Sequence, residues 1–121
     1  HLFNVAQVFA TQGEFEKAKE TSALFAEQVG IRRNPIQIKL ISQLDGIIAL
    51  EEKQYQTAID KLAEANQLNP YNLYRIGLAY EGLGEAEKAA RFKLQAKELN
   101  VLNSMDQALV LSKTKFSRHP A

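Results

Sequence analysis

Few side chains in this sequence are of the types that catalyse reactions or bind metals. Its 121 residues include no cysteine and only two histidines, His1 and His119, which lie at opposite ends of the chain. A zinc site or a Ser–His–Asp triad needs several such groups held close together. We therefore expect no metal site, no cofactor and no catalytic residue.

Two pairs of carboxylates and one glycine-rich segment are the remaining candidates for chemistry. Glu51-Glu52 and Glu85/Glu87 lie near predicted helix ends or turns with lysines nearby, which favours solvated charge over acid–base catalysis. The glycines of residues 77–84 lack a preceding strand and a following Lys-Ser/Thr, so they do not form a phosphate-binding loop. We interpret them as packing and helix-stop residues and expect the protein not to be an enzyme. An enzyme or a small-molecule-binding regulatory domain would need a deep polar pocket with converging titratable groups.

Composition and charge indicate one small soluble domain. Hydrophobic residues make up 45% of the chain and charged residues 24%, and the net charge of +1 gives no bulk field that would attract nucleic acid or an anionic membrane. Residues 85–121 hold 7 Lys/Arg and 4 Asp/Glu, whereas residues 1–84 hold 8 and 10. The longest apolar runs, such as residues 47–50, are far shorter than the roughly 20 residues of a membrane helix. We expect neither nucleic-acid binding nor membrane insertion.

The start of the chain bears on its origin and localisation. It begins at His1, without an initiator methionine and without a segment that resembles a signal peptide. We expect it to be the C-terminal domain of a longer protein. The localisation stays undetermined, because the sequence carries no targeting signal.

A pattern of small residues occurs twice in the chain. Gly46 is followed by Ala58, and Gly77 by Ala89, in both cases twelve residues later, and the two pairs are 31 residues apart. Self-similarity at such a period is typical of stacked helical repeats. A glycine inside a helix costs about 1 kcal/mol relative to alanine. We therefore predict that the partner helix approaches each glycine closely, with Ala58 and Ala89 as the matching small residues.

Apolar periodicity and cap residues predict helices along the whole chain. Gly13 is predicted to end the first helix, because glycine readily adopts the left-handed conformation common at helix C-termini. The second helix is predicted to end before Gly30. Asn34-Pro35 and Asn69-Pro70 are predicted helix starts, because Asn caps free N–H groups and Pro at the first position loses no hydrogen bond. Residues 104–107, Ser-Met-Asp-Gln, fit a capping box that would open a last helix. The seven predicted helices span about residues 2–12, 14–29, 35–52, 55–68, 70–83, 85–99 and 104–115.

These positions resemble the tetratricopeptide repeat family, whose unit of about 34 residues is a helix–turn–helix. The matching positions are Val5, Ala6, Phe9, Gly13 and Ala18 in the first unit, Gly46, Tyr55, Ala58, Leu62, Ala65 and Pro70 in the second, and Leu73, Ile76, Gly77, Tyr80, Gly84, Ala89 and Ala96 in the third. The resemblance implies an all-α solenoid of antiparallel helix hairpins wound into a right-handed superhelix. Its repeats would span about residues 1–30, 35–69 and 70–101, followed by a capping helix over about 104–116.

The spacing between units departs from a constant period. Ala18 and Ala58 are 40 residues apart, and Ala58 and Ala89 are 31 apart. These distances predict a lengthened first helix in the second unit and a shortened one in the third. Asp45 stands where the family has an apolar residue, and Lys93 where it often has an aromatic. We expect Asp45 to be exposed through a slight rotation of its helix, and Lys93 to extend its ammonium to solvent along an apolar stem.

The resemblance also implies a binding surface. In this family the first helix of each repeat lines the concave face, which binds peptides of partner proteins. The residues carried over to that face are Phe3, Asn4, Gln7, Leu40, Gln43, Leu44, Ile47, Glu51, Tyr71, Tyr74, Arg75 and Leu78. Aromatic rings beside an arginine are typical of interaction hot spots. The alternative is that Leu40, Leu44 and Ile47 are covered by the neighbouring hairpin and that Tyr74 only flanks solvent.

Two functions from different classes follow. The first is a non-catalytic interaction module or scaffold that binds a protein or peptide on the concave face, at Asn4, Gln7, Gln43, Ile47, Tyr71, Tyr74, Arg75 and Leu78. The second is a structural or self-associating domain of a larger protein, forming a homo-oligomer through its terminal hairpins. Some members of the family clamp a C-terminal carboxylate. Asn4 and Arg75 match two clamp positions, but Leu44 and Tyr71 replace two others, so we do not expect an intact clamp.

Overall fold

A computed structural model describes the backbone of residues 1–32 and 34–115 and the side chains of residues 1–31 and 34–101. Within these residues the fold is all-α, as the sequence predicts, with six helices and no strand. The helices are α1 (Leu2–Thr11), α2 (Phe15–Arg32), α3 (Pro35–Glu51), α4 (Tyr55–Ala63), α5 (Pro70–Gly82) and α6 (Ala86–Lys115).

The helices pair into three hairpins, α1 with α2, α3 with α4, and α5 with α6. Neighbouring hairpins are joined in two ways: α3 packs on both α1 and α2, and α5 packs on both α3 and α4. In the described part of the chain α2, α4 and α6 do not contact one another. The odd-numbered helices therefore form one continuous layer, whose solvent-facing side we call the odd-helix face.

Each hairpin turns through one residue in the left-handed conformation. Gly13 and Gly84 have φ values of 81° and 83°, and Lys53 occupies the same place with φ 64°. The next residue closes each helix end: the N–H groups of Glu14, Gln54 and Glu85 donate to the carbonyls of Phe9, Ala49 and Tyr80. This is the hydrogen bond of a Schellman motif, and it confirms the predicted stop at Gly13.

The two predicted Asn-Pro helix starts are confirmed. The Oδ1 of Asn34 accepts a hydrogen bond of 2.9 Å from the N–H of Ile36, and Asn69 makes the same bond of 2.9 Å with Tyr71. Between these caps and the following turns, α3 has 17 residues and α5 has 13. This difference of about one turn agrees with the lengthened and shortened helices predicted from the unequal spacing.

The prediction of seven helices with a separate capping helix from Ser104 is wrong, because α6 runs unbroken through that position. A capping box acts only where the backbone leaves the helical conformation. Residues 99–103, Leu-Asn-Val-Leu-Asn, contain neither glycine nor proline to make it do so. The hydrogen-bonded ladder therefore continues.

Two predicted helix ends are also misplaced. Helix α2 continues past Gly30, whose φ is not positive and which therefore does not break the helix. Helix α4 ends at Ala63 rather than near Leu68, because the side-chain amide of Gln67 donates to the carbonyls of Leu62 and Ala65, both at 2.8 Å. Those carbonyls would otherwise serve a further helical turn. Leu68, expected on the apolar face of this helix, is 73% exposed.

Both mid-helix glycines lie where another helix approaches closely. A Cβ on Gly46 would come within 2.6 Å of the Leu62 side chain, and one on Gly77 within 2.8 Å of the Lys93 stem and 3.1 Å of the Ala89 carbonyl. The predicted close approach is confirmed. The residues that face the glycines, Leu62 and Lys93, lie one turn beyond the predicted Ala58 and Ala89, which are themselves buried.

The core consists of two clusters that share α3. Leu44 and Ile48 pack with the first hairpin, and Ala49 packs with α4 and α5. The prediction that Asp45 is exposed is wrong. Asp45 is half-buried, and it accepts a 2.8 Å hydrogen bond from the buried Ser22 hydroxyl. Tyr80 stacks on Phe92 with ring centroids 5.5 Å apart.

Candidate partner-binding surface

The residues predicted for partner binding fall into three groups along the odd-helix face. On α1, Asn4 is exposed and Gln7 is half-buried; on α5, Tyr71 and Tyr74 are exposed and Arg75 and Leu78 are half-buried. On α3 the burial is greater, because this helix lies between its two neighbours. Gln43 and Ile47 are buried there.

Leu44 is fully buried and Ile47 is 4% exposed, so these two side chains belong to the core. The neighbouring helices cover them, as the alternative interpretation of the sequence held. Leu40 is only half-buried and lines a groove. The predicted surface is therefore reachable mainly at its two ends and beside the start of α3.

One apolar part of this surface is a groove between α5 and α6. Its volume is about 370 Å³. We call it the α5–α6 groove, and it is lined by Pro70, Tyr71, Tyr74, Lys93, Ala96, Lys97 and Asn100. Tyr71 is 70% exposed and Tyr74 46%. A molecule that covers two such exposed tyrosine rings gains binding free energy, because apolar ring surface is removed from water.

Lys93 ties the two sides of this groove together. Its ammonium lies 2.8 Å from a carboxylate oxygen of Glu81 and 5.9 Å from the centre of the Tyr74 ring, while its stem packs against Gly77. The side chain therefore extends its charge to solvent along an apolar stem, as predicted. The cation over the ring also fixes Tyr74 in place.

Arg75 follows Tyr74 on α5 and has no ion-pair partner among the described residues, where no carboxylate oxygen comes within 4.0 Å of it. Burial lowers the pKa of its guanidinium from the ordinary value, while the charges of Glu51 and Tyr71 act to raise that pKa. The group stays charged, because arginine does not lose its proton in proteins. A half-buried cation without a salt bridge is suited to receive an acidic group of a ligand.

A second groove lies beside the start of α3. It has a volume of about 280 Å³ and is lined by Pro35, Ile36, Lys39, Leu40, Gln43, Asn66 and Asn69. The buried Gln43 accepts a 3.1 Å hydrogen bond at Oε1 from the side-chain amide of Asn72. Amide groups that line a groove are able to pair with the backbone of an extended peptide.

A third depression lies on α1 and is lined by Asn4, Gln7, Val8, Thr11 and Gln12. Each hairpin thus carries a depression lined by at least two of the twelve residues carried over to the concave face. The sequence did not indicate Lys97, Asn66 or Asn69 as lining residues. They lie on α6 or in the loop before α5, and their contribution depends on how the hairpins stack.

The described residues were also compared with the requirements of a metal site and of a membrane-spanning helix. Among the described residues, no three His, Cys, Asp or Glu side chains are placed to hold a metal ion. Nor does any helix in this part of the chain combine the length and the apolar character needed to cross a membrane.

Comparisons of the chain with family models, curated proteins and solved structures gave no match.

Proposed function

We propose that this protein is a non-catalytic interaction module of the tetratricopeptide repeat type, which binds a peptide or partner protein on the odd-helix face. The observation that carries the proposal is the pair of exposed tyrosines on α5 beside the unpaired cation of Arg75. Tyrosine and arginine are the residue types that contribute most to binding at protein interfaces.

The repeat-type assignment is supported by the order of the structural elements. The three hairpins carry their left-handed turn residues at Gly13, Lys53 and Gly84, at the same spacings of 40 and 31 residues as the small residues. Each odd-numbered helix beyond the first packs on both helices of the preceding hairpin. One packing arrangement is thus used twice, which is how a solenoid of helix hairpins grows.

The grooves differ in chemistry along the face, and this favours a partner of mixed character. The α5–α6 groove offers aromatic rings and lysines, whereas the groove beside α3 offers side-chain amides. A segment with an aromatic or apolar side chain and an acidic group fits the first. Its backbone then pairs with amides at the second.

Affinity capture with the full-length protein, followed by direct measurement of binding with the purified captured species, tests this function. Changing Tyr74 and Arg75 together to alanine is expected to weaken binding by about 10- to 100-fold, the scale of a lost hot spot. The control variant changes Gln56 and Asp60 to alanine. These two exposed residues of α4 bond only each other.

The control is expected to bind like the parent protein. Both variants must keep the helical circular-dichroism spectrum of the parent. Unchanged affinity in the Tyr74/Arg75 variant would place the binding site away from this face and contradict the proposal.

A further inference from the structure

The α5–α6 groove occupies the place at which the next helix packs on each of the other hairpins. Ser22, Leu62 and Lys93 follow Ala18, Ala58 and Ala89 by four residues. On the first hairpin α3 covers this position, where its Asp45 bonds Ser22. On the second, α5 covers it, and Leu62 is fully buried in the cluster that contains Ile76. Within the described residues no helix covers Lys93 on the third.

The exposure of equivalent residues shows the same difference. Tyr74 corresponds in spacing to Phe3 on the first hairpin and to Gln43 on the second. Phe3 is half-buried against Phe25, Gln43 is 8% exposed beneath α5, and Tyr74 is 46% exposed. This face of the third hairpin therefore has the shape of a helix-docking site.

The charge of the groove selects what docks there. Lys97 has no carboxylate oxygen within 4.0 Å among the described residues, and Lys93 forms an ion pair with one glutamate, Glu81. Where α3 docks on the first hairpin, the incoming helix and the residue that follows it supply carboxylates: Asp45 of α3 bonds Ser22, and Glu52, directly after α3, pairs with Lys19 at 2.9 Å. A helix that combines apolar and acidic residues on one side matches the α5–α6 groove.

The chain itself exposes such a helix side. The outward residues of α2 recur at spacings of three and four, so they lie along one side of the helix. We call them the α2 stripe: Glu16, Glu20, Leu24, Glu27 and Ile31. All five are exposed, Leu24 by 54% and Ile31 by 80%, and none of the three glutamates has an ion-pair partner within the described residues.

We propose that the α2 stripe of one copy of this protein docks into the α5–α6 groove of a second copy. Leu24 and Ile31 cover the tyrosine rings, and Glu20 and Glu27 meet Lys97 and Lys93. The proposal goes beyond partner binding and competes with it, because both use Tyr71 and Tyr74. The two surfaces lie on different hairpins, so the contact joins copies head to tail or, when made twice, closes a twofold dimer.

The contact is expected to be weak and sensitive to salt. One helix side in one groove falls at the small end of protein interfaces, and its ion pairs lie at the protein surface, where salt screens them. The purified protein is therefore expected to gain mass reversibly with concentration in sedimentation velocity, less so at high salt. A monomer mass at all concentrations would overturn the proposal.

Charge-reversal variants test the pairing of the two surfaces. Lys97→Glu alone, or Glu20→Lys with Glu27→Lys, is expected to weaken self-association by about tenfold, because attraction is replaced by repulsion. Mixing the two variant proteins is expected to restore association, because the unchanged α2 stripe of the Lys97→Glu variant then meets the unchanged α5–α6 groove of the other variant. The matched control is Arg91→Glu, an exposed reversal on α6 outside the groove lining.

Two results would contradict the proposed pairing of the α2 stripe with the α5–α6 groove. The first is an Arg91→Glu effect as large as that of Lys97→Glu, which would mean that only the overall charge of the molecule matters. The second is a mixture that associates no better than either variant alone. All substituted side chains are exposed, and circular dichroism confirms that each variant is folded before its mass is interpreted.

Discussion

At Gly46 and Leu62 the second hairpin leaves no room for another methyl group. The Leu62 side chain that a Cβ would meet is fully buried, and its backbone nitrogen lies 3.2 Å from the same point. Neither helix is free to move away without disturbing the core cluster. The glycine is therefore required by packing, although it weakens the helix in which it lies.

Comparing two glycine-to-alanine substitutions tests this point. Gly46→Ala is expected to lower the free energy of unfolding by about 1 kcal/mol or more, because overpacking costs more than the better helix propensity returns. Gly30→Ala is the control: Gly30 lies inside α2 with nothing within 4 Å of its Cβ position. That variant is expected to gain about 0.5–1 kcal/mol. Urea denaturation measures both, and equal gains would contradict the close approach.

At the scale of elements, one buried polar contact joins α3 to α5. Asn72 is fully buried, and its amide nitrogen donates to the side-chain oxygen of Gln43 at 3.1 Å and to the carbonyl of Asn66 at 3.0 Å. The contact links two helices and the loop before α5. It fixes how far α5 slides along α3, because any shift leaves buried acceptors unpaired.

We expect Asn72→Ala to destabilise the protein by about 1–3 kcal/mol, since the buried Gln43 side-chain oxygen and the part-buried Asn66 carbonyl both lose their donor. Asn4→Ala, an exposed asparagine on α1, is expected to stay within about 0.5 kcal/mol of the parent protein. Thermal or urea unfolding followed by circular dichroism compares the two. Similar stabilities would show that the buried amide does not hold α3 and α5 in register.

The helix boundaries differ in how well the sequence predicts them. Helix starts at Asn34 and Asn69 depend on side chains next to the cap, and the stop at Gly13 depends on one glycine. Both kinds of signal are local and were predictable. The end of α4 depends on where the Gln67 side chain reaches in three dimensions, and no local pattern indicates that.

The candidate surface was predictable only as a set of positions. The family resemblance carried Tyr71 and Tyr74 over to the concave face, and the structure exposes both. It carried Ile47 over too, but the burial of that residue depends on how closely α1 and α5 approach α3. Lys97 entered the groove only through the packing of α6 on α5.

For the whole molecule, α3 is the helix on which the other parts depend. It contacts α1, α2, α4 and α5 and contributes to both core clusters. Helix α1, at one end of the described stack, contacts only α2 and α3 among the described helices. Stability in such a stack is a sum of hairpin and interface contributions, so it is expected to be highest in the middle.

Native-state hydrogen exchange tests this distribution. Amides of residues 44–49 are expected to exchange only through global unfolding, while those of residues 6–11 exchange at least about tenfold faster through local opening of the end helix. The comparison uses amides bonded within helices in both segments, so hydrogen bonding alone does not decide it. Equal protection in α1 and α3 would mean that the described stack unfolds as a single unit.

The gap between the even-numbered helices has a mechanical consequence. Within the described residues no Cα atoms of α2, α4 and α6 come within 8 Å of one another, so a change in their spacing disturbs little backbone packing between them. A force that spreads the odd-numbered helices must instead separate helices already in contact. The molecule is therefore expected to bend most easily about an axis that lies in the odd-helix layer, and to resist forces that stretch that layer.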